Sequence, residues 1–159
     1  MIEKLALAGT IVPGIGIGLL WPTAHHTRTS AAPNATEVLI ERNSDGHYYA
    51  DASVNGHPVH FMIDTGASET ALTEDDAKSI GLAVDPNKYE VIGDGASGMV
   101  RGQYVDLQSI DLQGIRQKQA KAVIVPAASV SLLGQPFLEK VDEIVIRKGE
   151  MRLTAGAGS

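Results

Sequence analysis

One carboxylate ends an apolar run in His60-Phe61-Met62-Ile63-Asp64-Thr65-Gly66-Ala67-Ser68. An acid placed where a buried strand stops has two readings. It is a turn residue whose side chain bonds its own backbone, or it is a general acid or base held above a hydrophobic floor. Asp45-Gly46 and Asp94-Gly95 are read as plain turns. Asp64 differs because a second apolar-glycine unit, Leu132-Leu133-Gly134, lies far downstream. Thr65 is placed to bond an opposite loop, and Gly66 lets backbone approach a substrate closely.

Other chemistries find little support. The chain has no cysteine, which excludes disulfides, zinc-thiolate sites and thiol nucleophiles together. No Gly-x-Ser-x-Gly elbow is present, and Ala96-Ser97-Gly98 belongs to a loop. His57 and His60 fall on opposite faces of a strand, so they and His47 are not expected to share a metal. His25 and His26 sit in a polar stretch and read as solvated. No metal and no cofactor are expected. A formal charge of −6 argues against a nucleic-acid partner.

The elements that must position Asp64 follow from period and punctuation. Of the 159 residues, 43% are hydrophobic and only 4% aromatic, so one domain with an aliphatic core is expected. Val38, Ile40 and Arg42 alternate as a first strand. Tyr48 to Val54 and His57 to Ile63 flank Asn55-Gly56, a strong two-residue hairpin turn. Pro58 pushes the start of the return strand toward a sheet edge. Thr73 caps a short helix over Glu74 to Ile80, closed by Gly81. Tyr89 to Ile92 and Met99 to Leu107 flank a glycine-rich tip, Gly93-Asp94-Gly95-Ala96-Ser97-Gly98. Ser109 to Leu112 and Ala120 to Val125 are two further strands, with Gln113-Gly114 as a turn between them. A short helix over Gln135 to Lys140 follows Gly134, then a hairpin of Glu143 to Arg147 and Glu150 to Thr154. Many short strands and glycine turns predict a mainly β, small closed barrel with one or two short helices.

At this point the chain resembles a known family. Phe61-Met62-Ile63-Asp64-Thr65-Gly66-Ala67-Ser68, followed far on by Ser131-Leu132-Leu133-Gly134-Gln135-Pro136-Phe137-Leu138, is similar to the retropepsin-like aspartic proteases. The resemblance is nearest to the bacterial, membrane-anchored single-domain members, and it covers residues 38–154. It implies the acid protease fold and an aspartic endopeptidase. Asp64 would be the catalytic carboxylate. Thr65 would bond across a dimer beneath it, and Gly66 would contact substrate backbone. Ala67 and Ser68 would line the neighbouring subsite. Gly93, Asp94, Gly95, Ala96, Ser97 and Gly98 would form a flap tip, richer in glycine and more polar than the family's tips often are. Leu133 and Gly134 would support the active-site loop. Such chemistry uses two carboxylates sharing one proton, and the chain has one Asp-Thr-Gly. A C2 homodimer acting on a protein or peptide substrate is therefore implied. The alternatives are a dimeric module of the same fold that binds peptide without cleaving, and a structural domain with a turn aspartate.

The N-terminus reads as a separate object. Leu5 to Trp21 is 17 residues without charge, roughly 26 Å if helical, at the short edge of a membrane span. Lys4 precedes it, Glu3 weakens that charge, and Trp21 suits an interfacial position. Residues 1–22 are expected to be a membrane anchor, giving a single-pass protein with its domain extracytoplasmic, in the periplasm. The alternatives are a signal segment cleaved near Pro22-Thr23-Ala24, giving a secreted protein, and a buried segment of the domain. Residues 23–37 read as a polar linker containing the sequon Asn34-Ala35-Thr36, and residues 155–159 as a disordered tail.

Overall fold

The computed structural model describes residues 35–95 and 98–156. Ten strands and two short helices form in chain order: β1 (Thr36–Glu41), β2 (Tyr49–Val54), β3 (His57–Ile63), β4 (Ala71–Leu72), α1 (Glu74–Ser79), β5 (Glu90–Gly95), β6 (Gly98–Leu112), β7 (Ile115–Ile124), β8 (Ser131–Leu133), α2 (Gln135–Leu138), β9 (Glu143–Arg147) and β10 (Glu150–Ala155). The mainly β expectation holds. β2, β3, β8, β4, β7 and β6 are neighbours in that order, and pairing of β2 with β6 closes the ring. Closure removes the exposed edges an open sheet would present. Among the described residues β5 pairs only with β6, so the β5–β6 hairpin extends beyond the ring. A separate sheet has the order β1-β10-β9.

Local rules build these elements. Asn55 and Gly56 both take positive φ, 51° and 88°, as a two-residue hairpin turn requires. Alternation aims Val59, Phe61 and Ile63 of β3 inward. They join Val54, Leu72, Leu107, Ile110, Leu112, Ile124, Leu133 and Phe137 in one core. Pro58 pairs only with Ser53 of β2, beyond the reach of β8, so its missing N–H disrupts no second ladder.

Several boundaries differ from the sequence reading. The segments expected as two strands, Met99–Leu107 and Ser109–Leu112, are one strand, β6. Its inward face changes phase at Gln108: Leu107 is buried, but so are Ile110 and Leu112. β7 changes phase opposite, from Ile115 to Ala120, through Gln119 at φ 51°. The register is the same on both sides, Leu107 opposite Ala120 and Ser109 opposite Lys118, because both strands shift together. Asn55 clamps this corner, its Oδ1 accepting from the backbone N of Gln108 (2.7 Å) and of Ser109 (3.2 Å). β4 and β8 are too short to show a period and were not expected as strands. α2 stops at Leu138, short of Lys140. β10 runs one residue past Thr154 and buries Ala155, so the tail does not begin there.

The expectation of a single-pass membrane protein with its domain in the periplasm is corrected. Among the described residues no helix is long and apolar enough to cross a membrane. α1 and α2 have six and four residues, against about 20 needed to span. The expected anchor or signal segment at residues 1–22 lies outside the described residues. So do His25, His26 and Asn34 of the linker, Ala96 and Ser97 of the flap tip, and residues 157–159.

Candidate active site

Asp64 follows the last residue of β3, where the strand leaves the core. β3 and β4 are consecutive in the chain yet flank β8. The loop joining them, residues 64–70, therefore has to cross the end of β8, where Leu133 and Gly134 lie. That crossing governs the site. The Asp64 backbone N donates to Leu133 O at 3.2 Å, continuing the parallel β3–β8 pairing onto the acid. The Gly66 N donates to Asp64 Oδ1 at 2.8 Å, and the Ala67 N donates to Asp64 O at 3.2 Å. These bonds curl the loop tightly beneath the carboxylate. Asp64 is half-buried, while Thr65, Gly66 and Ser68 are exposed.

Gly134 lets the loop sit down on β8. A Cβ there would lie 2.2 Å from Glu69 O and 2.7 Å from Ala67 O, closer than side-chain carbon can approach backbone oxygen. The next residue fastens the same loop twice. The Gln135 backbone N donates to Ala67 O at 2.9 Å, and its side-chain Nε2 donates to Thr65 O at 2.5 Å. Gln135 was not among the expected site residues. Its signal was a long polar side chain directly after Leu-Leu-Gly, where the helix start alone did not demand one.

A second fastening lies at the far end of the loop. Thr73 caps α1 as expected, its Oγ1 accepting from Asp76 N at 3.0 Å. Asp76 Oδ2 accepts from Thr73 Oγ1 (2.9 Å) and from Ser131 Oγ (2.5 Å), and Ser131 Oγ accepts from Thr73 N (3.0 Å). Ser131 is fully buried, so this network ties the start of β8 to the helix that follows the loop. Thr73 three residues before an acid is a capping pattern, but sequence spacing does not disclose the serine 55 positions away from Asp76.

The flap expected at Gly93–Gly98 is the end of the β5–β6 hairpin, paired out to Gly95 opposite Gly98. A bulge between Val91 and Gly93 shifts its register, which bends and twists the ladder. Val91 and Met99 on this hairpin are exposed. Its base is fixed to the body. Arg101 Nη2 donates to Tyr89 O at 2.6 Å, and the Tyr89 hydroxyl donates to Glu74 Oε1 of α1 at 2.6 Å. That bond to Glu74 pushes the Tyr89 hydroxyl up to about 12. Glu74 itself is held below its ordinary range by the Lys78 ammonium at 2.7 Å, and then by Tyr89. The half-buried loop before β5 is held by Gln103, which accepts from Asp85 N (2.8 Å) and donates to Ala83 O (2.9 Å). Gly102 passes so close to β7 that a Cβ would meet Ile124 O at 2.6 Å.

His57 and His60 point to opposite sides of β3. His60 Nδ1 lies 2.7 Å from Asp51 Oδ1, and its ring stacks on Tyr49 at 5.4 Å. Both partners are exposed on the outer face.

A strand thus lifts Asp-Thr-Gly onto a loop that straddles a second apolar-glycine strand. Residues 50–140 match the family described as "gag-polyprotein putative aspartyl protease". The chain belongs to the retropepsin-like aspartic proteases. The solved retropepsin-like aspartic protease from Rickettsia conorii superposes with a TM-score of 0.66 at 33% identity, over 77% of this chain and 92% of that one. The EIAV protease, solved with an inhibitor, superposes with a TM-score of 0.53 at 18% identity, over 66% and 97%, which bears on the fold alone. An uncharacterised protein of Rickettsia prowazekii (strain Madrid E) is 36% identical over 105 residues, 65% of this chain and 45% of that protein. Another from a Sinorhizobium species is 33% identical over 119 residues, 74% and 51%. The chain thus spans about half the length of the curated relatives it matches.

Proposed function

We propose that this chain is an aspartic endopeptidase that works as a C2 homodimer, with Asp64 and its symmetry mate side by side on the axis. The observation that carries this reading is Asp64 itself. It stands half-buried at the end of an apolar strand, on a loop pinned from below by Gly134 and Gln135. The chain has one Asp-Thr-Gly, while the chemistry asks for two carboxylates with different protonation. Two such groups in contact cannot both ionise, so they hold one proton between them. The ionised member takes a proton from the attacking water as the protonated member donates to the scissile carbonyl oxygen. The tetrahedral intermediate then collapses, the C–N bond breaks, and the amine leaves with a proton. The pair titrates as a unit.

The remaining residues take supporting roles in this reading. The Thr65 side chain, exposed on the loop, bonds across the axis to the partner loop. Gly66 meets substrate backbone, and Ala67 and Ser68 line the subsite beside the acid. The β5–β6 hairpin, tipped by Gly93 to Gly98, closes on an extended substrate through β-type pairing. Residues 38–154 are the working domain.

Asp64→Asn tests the proposal directly. In a peptide-library cleavage assay at acidic to neutral pH, the wild type cleaves and the variant loses at least about 100-fold in rate. Circular dichroism and sedimentation of the variant match the wild type. Cleavage that persists in Asp64→Asn removes Asp64 from the chemistry. A wild type that binds peptides and never turns them over is a binding module instead.

A further inference from the structure

β6 leaves the ring at Gln103, whose partner Ile124 is the last residue of β7. Past that pair the two strands of the β5–β6 hairpin are held by different means. β6 runs unbroken from the ring into the hairpin, and Gly102 presses it closely against the Ile124 carbonyl. β5 has no such root, since among the described residues it pairs only with β6. The residue just before it, Tyr89, supplies the attachment.

Tyr89 bonds in two directions. Its carbonyl accepts from Arg101 Nη2 at 2.6 Å, and Arg101 belongs to the hairpin, opposite Val91. Its hydroxyl donates to Glu74 Oε1 at 2.6 Å, and Glu74 opens α1. The acceptor is itself fixed, because Lys78 Nζ donates to the other oxygen, Glu74 Oε2, at 2.7 Å. Lys78 first, then Tyr89, hold Glu74 below its ordinary range, so it remains an ionised acceptor. A hydrogen bond to an ionised acceptor is stronger than one to a neutral group. Tyr89 and Glu74 are both half-buried, which limits competition from water.

α1 in turn shares the frame that carries Asp64. Thr73, the residue before Glu74, donates its backbone N to Ser131 Oγ, and Ser131 begins β8. β8 ends at Leu133, whose carbonyl accepts from Asp64 N. The root of the hairpin and the support of the acid are thus joined through Tyr89, Glu74, α1 and β8.

We propose that Tyr89 is a positioning residue: its hydroxyl bond to Glu74 sets the angle at which the β5–β6 hairpin leaves the ring, and so the hairpin's place relative to Asp64. It rests on the protease reading for its effect on substrate, while its effect on the hairpin is measurable without turnover. With the bond broken, the hairpin pivots about Gly102, where β6 is still fastened. Only a fraction of molecules then hold the hairpin where substrate meets it, and apparent affinity falls by that fraction. The bonds around Asp64 are untouched, so KM rises and kcat is kept.

Tyr89→Phe in the full chain keeps the ring and removes the bond. Hydrogen exchange in β5 and at Met99 to Arg101 becomes about tenfold faster, the worth of one hydrogen bond to a charged group. β3 and β8 keep wild-type protection. With a peptide cleaved by the wild type, KM rises by a similar factor and kcat changes less than about twofold. Glu74→Gln retains an acceptor and restores most of both readouts. Glu74→Ala does not, and adding it to Tyr89→Phe speeds hairpin exchange no further. Wild-type exchange in the hairpin of Tyr89→Phe overturns the proposal. Faster exchange spread evenly through β3 and β8 also overturns it, because the bond is then a general support of the fold. A loosened hairpin with unchanged KM overturns the positioning role. A hairpin loosened alone, with no cleavage of any peptide by any form, upholds the tie to α1 and counts against the protease.

Discussion

At the scale of single residues, the two readings of Asp64 are not alternatives. Its Oδ1 does accept from the backbone two residues on, as a turn aspartate does. In the proposed enzyme the same bond would orient the carboxylate for chemistry. The sequence alone cannot separate the two, because both need Asp-x-Gly on a tight loop. The proposed role adds a requirement that a turn does not have, the strand beneath. The resemblance implied that Gly134 supports the loop, but the residues alone did not disclose the reason for glycine: a Cβ there would lie 2.2 Å from Glu69 O. Gly134→Ala is therefore expected to cost about 1–3 kcal/mol through overpacking and to lower kcat/KM by displacing the loop under Asp64. Urea unfolding and cleavage kinetics measure both. A variant as stable and active as the wild type would show that the loop does not rest on β8.

At the scale of elements, hairpins were read well and long strands poorly. Asn55-Gly56 announces its turn because two positive φ values leave few other residue types. β6 was read as two strands because its alternation breaks at Gln108. In the fold, β7 breaks opposite it, and Asn55 supplies the bonds that the corner lacks. Asn55 thus has two roles, and Asn55→Gly separates them. Glycine keeps the turn and loses the clamp. We expect a loss of about 1–3 kcal/mol from amides left without a partner, with faster hydrogen exchange at Gln108 and Ser109 and an unchanged hairpin at Asn55-Gly56. α1 offers a parallel case. Its cap was legible from Thr73 and the acids after it, but its tie to Ser131 was not. Thr73→Ala should cost about 1 kcal/mol for the cap, and more because Asp76 Oδ2 loses the Thr73 hydroxyl and keeps only Ser131; chemical denaturation reads the sum.

At the scale of the whole molecule, dimeric action predicts that cleavage per chain falls on dilution, steeply once the concentration drops below the dissociation constant. A rate strictly proportional to total chain at all dilutions would contradict it. Acid stability belongs to this scale too. Asp111 is held below its ordinary range first by the Gly114 backbone N–H and then by Arg116. Asp45 is lowered by the His47 backbone N–H before the Tyr49 hydroxyl, and Glu74 by Lys78. A depressed carboxyl stabilises the fold above its unfolded value, near 4, and that contribution is lost as pH falls through its lower folded value. Unfolding midpoints should therefore drop below about pH 4. Because Asp45 is exposed and Glu74 and Asp111 are only half-buried, each effect is small. Asp111→Asn should make the drop shallower, while lowering the midpoint at neutral pH.

By itself the sequence determined the local chemistry: an apolar strand ending in Asp64, the turn at Asn55-Gly56, the cap at Thr73, the glycine-tipped hairpin and the second apolar-glycine unit. These depend on φ preferences, side-chain period and end groups, all of which act within a few residues. Only the tertiary structure decided that β8 slots between β3 and β4, that β2 closes the ring on β6, and that β6 turns a corner without losing register. Those outcomes depend on pairings between segments tens of residues apart. Backbone bonds in a ladder are alike for every residue, so period and turn type say which segments are strands without saying which strand each one meets.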